Sequence, residues 1–188
     1  MRKTILAAGA AIVLLGVSIG GLALRALATS YGTGNVGKSD LGARVQRLED
    51  REEIRKLFND YGHTLDLRNF AGFEELFAED SEYVGGGAMG TLRGPRAIRA
   101  ALEDQMAANP AHLNSANFHL FFNESIDVDG DRATAISKSA FVVRSDSNKP
   151  DMVFLASYDD VLIRENGKWK FLRRVVHGDI PAPQNSNR

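Results

Sequence analysis

The sequence predicts an α+β domain: three helices in the first half of the folded region, packed on one face of a curved antiparallel sheet formed by the second half. Three observations predict it. Apolar residues recur near helical spacing from Val45 to Leu65. From His112 onward the pattern changes to strand-like runs. Two dipeptides that favour tight hairpins, Asp129-Gly130 and Asn166-Gly167, punctuate those runs.

The first helix should start near Ser39 or Asp40, either of which can cap it, and bury Val45, Leu48, Ile54, Leu57, Phe58, Tyr61 and Leu65. Arg47, Glu49, Glu52, Arg55 and Lys56 occupy the opposite face. A short second helix turns Phe70, Phe73, Leu76 and Phe77 inward. Ser81 to Val84 reads as a short strand, broken by Gly85-Gly86-Gly87. Gly85 to Gly90 reads as a flexible hairpin near the pocket. Gly94-Pro95 opens a third helix with proline in its first turn, and Asn109-Pro110 ends it. Four strand runs follow, at roughly 113–128, 132–144, 151–165 and 168–178. A sheet with one covered face explains the mixed alternation of Ala133-Thr134-Ala135-Ile136-Ser137.

Length and composition bound the reading. The chain has 188 residues, enough for one domain with extensions. A net charge of -1, with basic residues in scattered pairs such as Arg173-Arg174, provides no footprint for nucleic acid. The chain has no cysteine, which excludes disulfides, thiolate zinc sites and cysteine nucleophiles. No His-x-His or His-x-x-x-His spacing points to a metal, and the triple glycine lacks the Lys-Ser/Thr of a phosphate loop. Neither a metal nor a cofactor is expected.

The first thirty residues read as a targeting segment. Arg2 and Lys3 precede an uncharged run from Ile5 to Leu24, and Ala26-Leu27-Ala28 follows as a cleavage-site pattern. The run is about long enough to span a bilayer, which favours an uncleaved anchor; the small residues at 26 and 28 favour cleavage after Ala28. Either way the domain is expected outside the cytoplasm, inner-membrane-anchored facing the periplasm or periplasmic. Any membrane contact would run through this segment alone. Residues 29–39 read as a Gly/Ser/Thr-rich tether, 40–181 as the folded domain and 182–188 as a tail.

Chemistry concentrates in three residues: Tyr61, Asp66 and His119. A phenol, a carboxylate and an imidazole suffice for proton transfer. A curled sheet over helices encloses an apolar pocket, and Phe58, Phe77, Phe121, Asn123, Phe141, Tyr158 and His177 are its candidate lining. The plain alternatives remain open. Tyr61 lies on a buried stripe and fits a packing role, Asp66 fits a helix end, and His119 fits a satisfied core histidine. His63 fits a surface pair with Asp66, His112 falls in a loop, and His177 sits beside Asp179 at the end of the last strand.

Several local patterns occur in a telling order: Glu53-Ile54-Arg55-Lys56-Leu57-Phe58-Asn59-Asp60-Tyr61 with Asp66, Leu76-Phe77-Ala78-Glu79-Asp80, Arg93-Gly94-Pro95-Arg96-Ala97-Ile98, His119 with Asn123, Asp129-Gly130-Asp131-Arg132-Ala133, and Gly167-Lys168-Trp169. Together they resemble the SnoaL-like group of the nuclear-transport-factor-2-like superfamily, over about residues 43 to 180. The resemblance implies a cone-shaped α+β barrel that forms a homodimer or homotrimer. Within the group the pattern is similar to scytalone dehydratase, bile acid 7α-dehydratase and hexachlorocyclohexane dehydrochlorinase. That similarity implies an Asp–His pair at Asp66 and His119, with Tyr61 five residues before the aspartate. It implies a cofactor-independent lyase or isomerase acting on a small apolar or polycyclic substrate. A non-catalytic binding domain and a purely self-assembling domain are the alternatives. The resemblance also implies an active-site arginine, for which Arg164 and Arg173 are the candidates.

Strict alternation opposes this site. Phe118, Leu120, Phe122, Ile126 and Val128 share one strand face, and His119, Phe121 and Asn123 share the other. If the first set faces the helices, His119 points away from them. A β-bulge between residues 119 and 126 would reverse this, so a bulge is expected there, or a second layer over the other face.

Overall fold

A computed structural model of the chain describes residues 38–85, 89–107 and 116–181. The apolar run, most of the tether, Gly86, Gly87, His112 and the tail lie outside them. Among the described residues no helix is long and apolar enough to cross a membrane.

Among the described residues there are three helices: α1 (Lys38–Asp66), α2 (Phe70–Glu74) and α3 (Pro95–Ala107). Six strands of the described residues form one sheet: β1 (Phe77–Val84), β2 (Thr91–Arg93), β3 (Asn117–Asp129), β4 (Arg132–Arg144), β5 (Pro150–Glu165) and β6 (Lys168–Ile180), in the order β2-β1-β6-β5-β4-β3. Strands β3 to β6 are the expected antiparallel meander. The sheet as a whole is mixed, because β1 pairs parallel to β6. The first long strand of the chain thus lies beside the last and runs in the same direction. The Asn166-Gly167 loop has both residues at positive φ, as the dipeptide requires. At the other hairpin the loop is Gly130-Asp131, one residue later than expected, with Gly130 at φ 58°.

Burial corrects one reading of α1. Ile54, Leu57, Phe58, Tyr61 and Leu65 form the core stripe, but Val45 and Leu48 are exposed. The reason is angular. At about 100° per residue, Val45 projects roughly opposite Ile54, and Leu48 about 120° away. Apolar residues thus change face along the helix, and only the C-terminal half of the stripe meets the sheet. Since α1 already includes Lys38, neither Ser39 nor Asp40 caps it.

The core is aromatic. Phe58, Tyr61, Phe73, Phe77 and Phe171 are buried between the helices and the inner face of the sheet. Their ring centroids lie 5.1 to 6.4 Å apart in tilted, edge-on and stacked pairs, arrangements that add to the hydrophobic gain of burial.

Candidate functional site

Asp66 is the last residue of α1. The helix ends there in a double turn: Asn69 N–H donates to the Thr64 carbonyl at 2.8 Å and Arg68 N–H to the Leu65 carbonyl at 3.1 Å. The motif needs a left-handed residue, normally glycine, and Arg68 fills it at φ 58°. Its guanidinium donates back to the Leu65 carbonyl at 2.5 Å, which offsets part of the strain. A carboxylate at this end of a helix faces the negative pole of the helix dipole. Its compensation comes from β3.

His119 provides that compensation twice. Its backbone N–H donates to Asp66 Oδ2 at 3.0 Å, and its ring Nδ1 lies 2.7 Å from Asp66 Oδ1. The carboxylate therefore grips backbone and ring together, holding Nδ1 as the protonated nitrogen and leaving Nε2 as the nitrogen able to exchange a proton. Phe141, directly opposite on β4, stacks on the imidazole with ring centroids 4.4 Å apart. The Asp66 and His119 side chains are 18% and 15% exposed, sheltered yet reachable. Gly62 allows the helix this close: a Cβ there would stand 3.0 Å from His119 Cβ and 3.2 Å from its carbonyl oxygen.

The expected bulge turns His119 inward. The β3–β4 register shifts between Phe122 and Ser125, so Asn123 and Glu124 together oppose Ser137. Asn123 takes φ 56°, the left-handed position that such bulges usually give to glycine. Before the bulge His119 and Phe121 face the helices; after it Ile126 and Val128 do. Phe118, Leu120 and Phe122 are left on the outer face.

Tyr61 is not part of this pair. Five residues before Asp66, it projects about 140° away around the helix. Its hydroxyl lies 3.2 Å from that of Tyr83, in the buried cluster. Arg174 lies at the centre of that cluster, fully buried, with its guanidinium carbon 4.1, 4.2 and 4.4 Å from the ring centres of Phe171, Tyr61 and Tyr158. It donates through Nε and Nη2 to the equally buried Asp160 at 2.9 and 3.1 Å. Burial opposes the arginine's charge, but Asp160, Tyr61 and Tyr158 outweigh it and its pKa is raised. Burial pushes the Asp160 carboxyl up against the pull of Arg174; with the guanidinium held charged, we assign the pair as ionic at neutral pH. Among the described residues Arg174 Nη1 has no hydrogen-bond partner. Burial also raises Tyr61 well above the usual phenol range and Tyr83 to about 12, so both remain donors.

Neither arginine expected from the sequence lies inside. Arg164 binds Asp50 and Glu53 of α1 and stacks over Trp169 at 4.7 Å, clamping the helix to the sheet. Arg173 faces outward beside Glu82. The reason is a second bulge: Leu162 pairs with Phe171 but Val161 pairs with Arg173, so Leu172 is the extra residue. Continued alternation from Trp169 and Phe171 would bring Arg173 inward; the bulge brings Arg174 instead. Asp160 and Tyr83 were likewise missed, since a buried aspartate and a strand tyrosine carry no local signature.

Two candidate lining residues are elsewhere. Asn123 is exposed at the bulge, and His177 is exposed on the outer face, its Nε2 2.8 Å from Asp159 rather than on Asp179. Phe58, Phe77, Phe121 and Tyr158 belong to the interior cluster. His63 is exposed on α1. A groove of roughly 370 Å³ lies on the outer sheet face, lined by Asp127, Ile136, Asp159 and Arg173 among others, and includes neither Asp66 nor His119. Among the described residues no group of His, Asp or Glu side chains could hold a metal.

Comparison with known proteins bears on the fold. The SnoaL-like domain family matches residues 46–175. An NTF2-like protein with a cystatin-like fold from Novosphingobium aromaticivorans is 29% identical, with a TM-score of 0.70 over 80% of this chain and 95% of that one. A protein of the same organism, provisionally named scytalone dehydratase, is 24% identical with a TM-score of 0.59, over 71% and 87% of the two chains. LinA is 22% identical with a TM-score of 0.60, over 72% and 90%. No curated protein matches the chain. With its helices on a curved mixed sheet, and with most of its length matched, the chain belongs to the SnoaL-like domain family, in the NTF2-like fold.

Proposed function

We propose that the domain is a cofactor-independent lyase or isomerase for a small apolar or polycyclic substrate, with Asp66 and His119 as its catalytic pair. The observation that carries the reading is the double grip of Asp66 on His119, which orients the ring and leaves Nε2 available. In the reaction His119 Nε2 removes a proton from carbon. The released electron pair forms a double bond as the leaving group departs from the adjacent carbon with its own pair. The imidazolium, stabilised by Asp66, returns the proton to the leaving group. Likeness to LinA and to the protein named scytalone dehydratase supports the fold of this site.

The test has two stages. Ligands that copurify with the protein are identified by mass spectrometry, and compounds of that class with an acidic C–H beside a leaving group are assayed for elimination. His119→Ala and Asp66→Asn should each lower turnover by about 10² to 10⁴, the usual contribution of a positioned base, with the circular dichroism spectrum unchanged. Full turnover in both variants would refute the pair.

One observation favours a second reading, a binding module without turnover. Tyr61 and Arg174 are packed into the core, away from Asp66 and His119. Tight ligand binding that both variants retain, with no product formed by the native chain, would establish it. In either reading, copies associate through the outer sheet face, where Phe118, Leu120, Met152 and Ile180 are exposed.

A further inference from the structure

Helix α1 carries a second apolar stripe that the domain does not use. Leu41, Val45 and Leu48 are 54%, 44% and 63% exposed. They are spaced by four and three residues, the d-a-d spacing of a two-helix seam. Asp50, a buried residue two positions past the stripe, turns toward Arg164 of the sheet, and Ile54 enters the core. The stripe therefore lies on the side of α1 away from the sheet, where another helix can approach. The family match begins at residue 46, within this stretch, so the seam extends α1 beyond the matched region.

We propose that residues 41–49 pair with the same residues of a second copy as a parallel two-helix seam. Residue types fit that occupant. Valine at a with leucine at d favours two parallel strands. With Leu41 at d, Arg44 falls at g and Glu49 at the following e. In a parallel, in-register pair g faces the next e of the other helix, so Arg44 meets Glu49 of the second copy, twice per pair. An antiparallel pair would set g against g and bring Arg44 toward arginine. Both residues are exposed, and no ion pair among the described residues uses either. Glu52, at the next a position, ends the seam where the helix becomes part of the domain.

Because the chain has no cysteine, single introduced thiols report the pairing. In the full chain, Leu41→Cys and Leu48→Cys should each form disulfide dimers with their own kind under mild oxidant, since facing d positions approach disulfide distance. Arg47→Cys, on the outer side of the seam, should not. Arg44→Glu in either thiol background should lower the crosslinked fraction about two- to fivefold, the scale of exposed ion pairs. Adding Glu49→Arg should restore it. Co-expression of differently tagged Leu41→Cys and Leu48→Cys chains distinguishes direction: preferential mixed crosslinks would overturn the parallel seam. Absence of crosslinks, equal crosslinking at Arg47→Cys, or no rescue by the double charge reversal would overturn the proposal.

Discussion

At the scale of single residues, polar groups have been placed where they cost stability and then been individually compensated. Asp66 opposes the helix dipole and is held by two donors from His119. Arg68 accepts a left-handed backbone to end α1 beside them. Tyr61, Tyr83 and Tyr158 are buried, and burial pushes all three phenols up, Tyr83 to about 12. The sign of the resulting pH dependence is fixed. A phenol whose folded pKa exceeds its ordinary 10.0 contributes stability that is complete below pH 10 and lost as pH rises through the folded value. In a Tyr31→Phe background, tyrosinate absorbance should therefore stay low past pH 10 and rise together with the loss of circular dichroism, by about pH 12. Tyrosinate absorbance appearing at pH 10 in a fully folded protein would contradict the burial.

At the scale of elements, two one-residue bulges select the inward-facing residues. On β3 the bulge at Asn123 lets His119 and Ile126 share the inner face; on β6 the extra Leu172 exchanges Arg173 for Arg174. The first bulge has a local cause, since asparagine tolerates φ 56° better than other side chains. Asn123→Gly should therefore leave stability nearly unchanged. Asn123→Val should cost about 1–2 kcal/mol, the penalty of a left-handed branched residue, read as a lower melting temperature. It should also weaken the Asp66–His119 bond, seen as loss of a low-field Nδ1–H proton resonance. Equal melting temperatures for the two variants would show that the bulge is imposed elsewhere.

At the scale of the whole molecule, the sheet has two unlike faces. The inner one packs aromatics against the helices; the outer one exposes Phe118, Leu120, Phe122, Met152 and Ile180. The association of copies proposed above would bury this apolar set. Light scattering after size exclusion should give a mass above the monomer for the native chain, and Leu120→Lys with Met152→Lys should reduce it. Since both positions lie on the sheet, crosslinking through the α1 seam should survive these substitutions. Unchanged mass in the double variant would exclude the outer face as a contact.

Much of this was legible in the sequence, because it follows from periodicity and turn chemistry. The three helices, the antiparallel meander and the Asn166-Gly167 hairpin are local in origin, and the positions of Asp66 and His119 stood out by residue type and order. The β3 bulge was legible as well, since alternation placed Ile126 and His119 on opposite faces and only an extra residue could reconcile them. What the tertiary structure alone decided is which side chains meet. It paired β1 parallel to β6, set Tyr61 against Tyr83 rather than beside Asp66, and turned Val45 and Leu48 outward. It also put Arg174, not Arg164 or Arg173, at the centre of the aromatic cluster. The physical reason is parity. A strand's side chains alternate with a period of two, so one inserted residue such as Leu172 inverts every later position, and strand pairing rather than local sequence determines where that insertion falls.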